Sequence, residues 1–302
     1  MIKINDILKP EPKSEEVIKL LKESVVDTSV EIEKPPTILL LQEDNGQYKR
    51  LLTLGNFSCI SGKQKSKKTF FVCLLAGNLL REKDTDSKLI NELPENKKLI
   101  IYFDTEQGFY DSWITMRRVE RIAGHKKHFR GYNMRKYDPM QRCEIIEAAF
   151  KEYGKHIGLC IIDGIADLIL AVNDELEATR VVSMLMRWTQ EYNCHIITVL
   201  HQNKANDFIQ GWIGTAISKK SEIVISVNKT KDDRSSADIS CEFSRGVDFE
   251  GFRMTVDEHG LPYISDYSPE KKEKSVSSYY GSHITDITES NKIELDENGN
   301  AF

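Results

Sequence analysis

Between residue 57 and about residue 200, short apolar runs alternate with longer helical patterns, and that alternation leaves the chain few ways to fold. The runs at 57–60, 99–103, 159–162 and 195–200 have the length and make-up of buried strands. Helical spacing fills 69–81, 109–122, 140–152 and 175–192. This order predicts an α/β fold, a mostly parallel sheet flanked by helices. After residue 220 only strand patterns follow, at 222–227, 239–243 and 252–256 with charged turns between. They predict antiparallel strands at the C-terminal edge of the same sheet. Earlier, 37–41 and 48–53 flank Asp44-Asn45-Gly46 and read as a hairpin.

The flanks read differently. Residues 1–35 form an N-terminal arm, punctuated by Pro10, Pro12, Pro35 and Pro36. Its one amphipathic helix is capped near Ser14 and carries Val17, Ile18, Leu20, Leu21 and Val25 on one side. Such a helix either packs on its own domain or docks on a neighbouring subunit. Residues 36–263 make the main domain, and 264–302 read as a polar, mobile tail with eight Asp/Glu against four Lys/Arg. That tail accounts for most of the net charge of −5, so the body is nearly neutral and has room for a local basic patch. Six widely spaced cysteines with no CxxC read as free thiols of a reducing, cytoplasmic compartment. His125 and His128 sit among Lys126, Lys127 and Arg130, a solvated basic loop rather than a metal site. The longest apolar stretch, 158–172, contains Asp163 and Asp167, so no membrane partner is expected.

Residues 62–69, Gly62-Lys63-Gln64-Lys65-Ser66-Lys67-Lys68-Thr69, nearly spell a phosphate-binding loop. In the full pattern a second glycine stands where Lys67 is. The chemistry asks for consecutive backbone N–H groups at a helix start, a lysine for the β/γ oxygens and a hydroxyl for Mg²⁺. A lysine-rich surface turn is the alternative, but the strand before the loop and the apolar run from Phe70 onward supply the required strand–loop–helix setting. Asp163 ends the apolar run 159–162, as a carboxylate delivered to the Mg²⁺ side would. Asp104-Thr105-Glu106 ends the strand at 99–103, and His201-Gln202 ends the strand at 195–200. Lys204 to Gly214 holds Asp207, Phe208, Gln210 and Trp212, and Arg245 follows the strand at 239–243.

On these motifs residues 50–256 resemble the RecA/DnaB-like P-loop ATPases, and most of all the RepA-type hexameric helicase ATPases of plasmids and mobile elements. The resemblance implies ATP and Mg²⁺ as cofactors, bound by residues 62–69 with Phe70, and Thr69 and Asp163 on the metal. It makes Lys68 and Glu106 catalytic, Glu106 acting on the attacking water, and His201 or Gln202 a sensor of the γ-phosphate. Arg245 would reach the ATP of the next subunit in a hexameric ring. The segment 204–214 would contact single-stranded DNA, although Trp212 equally suits packing. The AAA+ class instead sets the glutamate beside the Walker B aspartate, where this chain has Gly164. Lys67 in place of glycine and Phe243 in place of the family's lysine depart from the pattern. Two alternatives stand beside the ring motor. One is a dimeric ParA/MinD-like partitioning ATPase, in which Lys63 acts across the dimer. The other is a DNA-binding or loader protein with weak ATPase.

Overall fold

The computed structural model describes residues 15–81, 87–171, 173–202 and 211–265. In chain order its elements begin with α1 (Glu15–Glu23), β1 (Thr37–Gln42), β2 (Tyr48–Thr53), β3 (Phe57–Gly62) and α2 (Lys68–Leu80). There follow β4 (Leu89–Asn91), β5 (Leu99–Asp104), α3 (Phe109–Ala123), β6 (Phe129–Asn133), α4 (Pro139–Tyr153) and β7 (Ile157–Asp163). The last are α5 (Glu175–Tyr192), β8 (His195–His201), α6 (Gly211–Lys220), β9 (Ile223–Lys229), β10 (Ser236–Ser244), β11 (Phe252–Val256) and β12 (Pro262–Ser265).

Nine strands form the main sheet in the order β12-β11-β10-β9-β3-β8-β7-β5-β6. From β9 to β6 every pairing is parallel, and from β9 to β12 every pairing is antiparallel. This is the α/β architecture expected, with the antiparallel extension on the C-terminal side. Parallel strands need crossovers, and the helices that supply them bury both faces. On one face α2 and α3 pack Phe71, Val72, Leu75 and Val119 against Ile60, Tyr102, Ile161 and Val199. On the other, α4, α5 and α6 pack Ile146, Val181, Trp188 and Ile213 against Cys59, Phe103, Ile162 and Ile196. The hairpin β1–β2 pairs with β4 in a separate three-stranded sheet.

Two expectations need correction, and two further elements, β4 and α6, lie where none was anticipated. The strand β6 occupies part of the basic loop anticipated around Arg130, because Phe129 buries and the backbone pairs with β5. The small strand β4 was likewise not anticipated. The tail does not begin at 264: β12 runs through Ile264 to Ser265, with Pro262 at the first position of an outer strand, where no ladder N–H is needed. Trp212 belongs to a helix, α6, held by burial of Ile213 and Ile217 one turn apart, while 203–210, with Lys204, Asp207, Phe208 and Gln210, lie outside the described residues. The helix α1 forms as expected, but none of its residues is buried, so it does not pack on its own domain. Tail residues 266–302 and the arm before Glu15 also lie outside the described residues.

Candidate active site

Parallel pairing aligns the C-terminal ends of β3, β8, β7 and β5 along one edge. Gly62 stands opposite His201, and Asp104 opposite Asp163. The cleft above this edge, about 460 Å³, is lined by residues 65–70, Glu106, Gln107, Asp111, Ile114, Thr115, Arg118, Asp163 and His201.

The loop has the required cradle shape. A Cβ on Gly62 would stand 2.6 Å from Ser66 Oγ and closer still to the Val227 carbonyl, so only glycine fits there. Lys63, Gln64 and Lys65 are exposed, and Ser66 is buried with no partner for its Oγ among the described residues. Lys67 solves the missing-glycine problem by adopting the glycine conformation. It caps α2 with φ 72° and ψ 22°, in the left-handed region, and Lys65 lies there too at φ 60°. Its ammonium is drawn aside to donate to the Arg234 carbonyl at 2.6 Å.

Lys68 is buried, and its Nζ donates to the carbonyls of Gly62 (2.8 Å) and Lys63 (2.9 Å). Its third proton goes to His201 Nδ1 at 3.0 Å. The other nitrogen, Nε2, then carries the ring proton and donates it to Glu106 Oε1 at 3.2 Å. One imidazole thus joins the loop lysine to the expected water-activating carboxylate. Burial pulls the Lys68 pKa down to about 8, against the pull of Asp163 and Glu106. The His201 hydrogen bond holds Glu106 below the usual range, so it is ionised at neutral pH.

The turn presenting Glu106 is pinned from below. Asp104 Oδ1 accepts from the N–H groups of Glu106 (3.1 Å) and Gln107 (3.0 Å), and Thr105 Oγ1 donates to the Asp163 carbonyl at 2.9 Å. Gly164 has φ 102°, and a Cβ there would strike Thr105 Oγ1 and come within 3.1 Å of Glu106 Cγ. An acidic residue after Asp163 would therefore displace Glu106.

Asp163 Oδ2 accepts from Thr69 Oγ1 at 3.1 Å and from the fully buried Tyr102 hydroxyl at 2.6 Å. Burial raises its pKa to about 6, helped by Asp104 and Glu106. No cluster of three or more His, Cys, Asp or Glu suited to a metal occurs among the described residues. One buried carboxylate and one hydroxyl nonetheless fit Mg²⁺, which keeps several waters and takes few protein ligands besides phosphate oxygens.

Of the anticipated residues, Gly62, Lys63 and Gln64 belong to the loop but do not line the cleft, and Gln202 and Arg245 lie away from it. Gln202 is buried behind the loop, with Nε2 donating to Ser61 Oγ at 3.3 Å, so His201 alone faces the site. Arg245 sits past the end of β10 beside Glu222, at the start of β9 and therefore at the opposite end of the sheet from the loop. There its guanidinium donates to the Lys220 carbonyl at 2.7 Å and borders a separate cavity of about 320 Å³. Sequence reasoning missed the roles of Tyr102 and Arg118. A hydroxyl inside the apolar run 99–103 was the available signal for Tyr102. Nothing local marked Arg118, whose guanidinium lies 4.0 Å over the Phe70 ring.

The sequence profile of the AAA domain family matches residues 39–207, more than half of the chain, including the loop, Glu106, Asp163 and His201. The chain belongs to the AAA domain family. As a member of it, the protein is a P-loop ATPase, built to bind and hydrolyse a nucleotide. The match ends before α6, so Arg245 lies outside it. No curated protein matches the chain. Among the described residues no helix is long and apolar enough to cross a membrane.

Proposed function

We propose that this AAA-domain protein is a Mg²⁺-dependent ATPase of the RecA/DnaB-like kind that assembles head-to-tail and works on single-stranded DNA. In this reading it is a RepA-type helicase or a replication or mobilisation motor of a mobile element, acting in the cytoplasm. The observation that carries it is the Lys68–His201–Glu106 chain, which ties nucleotide contact to water activation within one subunit.

The loop amides and Lys68 hold the phosphates, and Glu106 accepts the proton of the attacking water. Thr69 and Asp163 hold the Mg²⁺, which when bound neutralises charge on the phosphate oxygens. A phosphate that draws Lys68 from His201 frees the imidazole, so the strand end of β8 registers the state of the nucleotide. Arg245 has no access to its own cleft, which supports a role in the site of an adjoining copy. The fully exposed α1, with Leu20 and Leu21 more than half exposed, is an arm suited to docking on such a copy.

The test is ATPase rate against protein concentration, with and without single-stranded DNA, alongside light scattering. A rate per chain that rises with assembly, and falls there by 10²-fold or more in Arg245→Ala, is the expected result. A monomer with a concentration-independent rate would sink the ring. A nucleotide-dependent dimer in which Lys63→Ala is inactive would favour the partitioning reading instead.

A further inference from the structure

The outer edge of the nine-stranded sheet reverses the sign of the chain's charge. Residues 112–137 hold eight Lys/Arg against Glu120 alone, in a chain of net charge −5. They comprise most of α3, the loop to β6, β6 itself and the turn into α4. Because β6 pairs only with β5, it forms an open edge of the sheet, and the turns on either side of β6 border that edge, whereas Arg118 and Arg121 reach away from it to the turn between β11 and β12.

Internal contacts use up few of these cations. Arg118 is spent on Phe70 and the Gly260 carbonyl, Arg121 donates to the His259 carbonyl at 3.0 Å, and Arg117 pairs with Glu120 at 3.5 Å. Lys126, Lys127, Arg130, Arg135 and Lys136 are exposed, and among the described residues none forms an ion pair. Lys126 and Lys127 follow the C-terminus of α3, where a helix dipole favours cations. Arg135 and Lys136 instead precede the N-terminus of α4, where the dipole disfavours them, so local structure does not account for the run.

Exposed rings stand beside these charges. Tyr110 and Trp113, 71% and 51% exposed, stack with centroids 6.0 Å apart, and Arg117 lies 5.8 Å over Trp113. The turn after β6 adjoins them: Arg135 Nη1 is 3.3 Å from where a Cβ on Gly108 would stand, just before α3 begins. Lys136 covers Tyr137 at 5.0 Å.

We infer that this edge is a track for single-stranded nucleic acid, with phosphates on the five exposed cations and bases on Tyr110 and Trp113. A row of cations interleaved with open aromatic faces matches a flexible polyanion whose bases are unstacked. A duplex would leave the rings unused. The inference rests on the reading that the protein acts on nucleic acid, and it adds a contact outside the segment after β8.

The test uses the full chain and a fluorescein-labelled oligothymidylate, followed by anisotropy from 50 to 200 mM salt. The triple variant Lys127→Glu, Arg130→Glu, Lys136→Glu should bind at least tenfold more weakly. Its slope of log K against log salt should be smaller by about 2, at roughly 0.7 per lost phosphate contact. Its ATPase rate without nucleic acid should equal that of the unaltered chain, which checks the fold. Oligothymidylate should quench tryptophan emission, and Trp113→Phe should lose a part of that quench that Trp212→Phe keeps. If the unaltered chain binds but the triple variant binds equally well and only Trp212 reports, the track is refuted and the nucleic-acid reading survives. If the triple variant keeps its binding but changes mass in light scattering, the edge is a contact between copies and the track is again refuted. If the unaltered chain fails to bind at 50 mM salt with or without nucleotide, both the reading and the track fall.

Discussion

Position 67 offers the sharpest test of the phosphate loop, because its backbone rather than its side chain does the work. At φ 72° Lys67 occupies a region that costs an unbranched L-residue about 1 kcal/mol and a β-branched one substantially more. Lys67→Gly relieves that strain, but it loosens the unfolded chain by about 0.4–1 kcal/mol. It also gives up the half-exposed hydrogen bond to the Arg234 carbonyl, about 0.5–1 kcal/mol. The terms nearly cancel, so stability should stay within about 1 kcal/mol and nucleotide turnover should persist. Lys67→Val faces the opposite balance. Adding about 2 kcal/mol to the left-handed state depopulates the competent loop about 30-fold. Apparent nucleotide affinity should fall by that factor, with kcat little changed once the loop is filled. Titration with a fluorescent ATP analogue and steady-state ATPase kinetics measure both quantities. A valine variant with unaltered affinity would show that residue 67 is not left-handed in solution and would overturn the account of the loop.

Three further outcomes follow from the geometry. Glu106→Gln should keep nucleotide binding and lose turnover by about 10²–10⁴-fold, since the amide still accepts from His201 but cannot take a proton; a burst or single-turnover assay decides it. Tyr102→Phe removes the 2.6 Å hydrogen bond to Asp163 without changing ring volume, so the Mg²⁺ concentration for half-maximal ATPase should rise about 10–100-fold. His195 is fully buried between the Thr53 carbonyl (2.7 Å) and Ser58 Oγ (3.0 Å), and burial depresses its pKa. The unfolded chain therefore binds the extra proton first. Its contribution is intact above about pH 6.5 and is lost by up to about 1.4 kcal/mol per pH unit as pH falls below that. Urea midpoints at pH 5.5 and 7.5 should show a smaller difference in His195→Gln than in the unaltered chain.

Much of the fold was legible because its helices and central strands are long and strongly patterned. The elements that escaped lack that pattern. In β6, Arg130-Gly131 interrupts the apolar run, and the Met116 side chain packs where a Gly131 side chain would be. The helix α6 contains Gly211 and Gly214, which lower its propensity, and its burial against the sheet restores it. The strand β12 is four residues long and opens with proline, so only its pairing with β11 reveals it.

The sequence by itself determined the chemical inventory: a lysine-rich phosphate loop, carboxylates at the ends of apolar strands, and a late arginine. These are properties of residue type and local spacing, which periodicity and side-chain chemistry expose directly. The tertiary structure decided how the inventory is assembled. Placing β8 between β3 and β7 puts His201 between Lys68 and Glu106, whereas Gln202 turns behind the loop and Arg245 falls at the far end of the sheet. Such placements depend on the order and register of parallel strands that are separated by tens of residues. They are fixed by packing on both faces of the sheet at once, and no local stretch of chain encodes them.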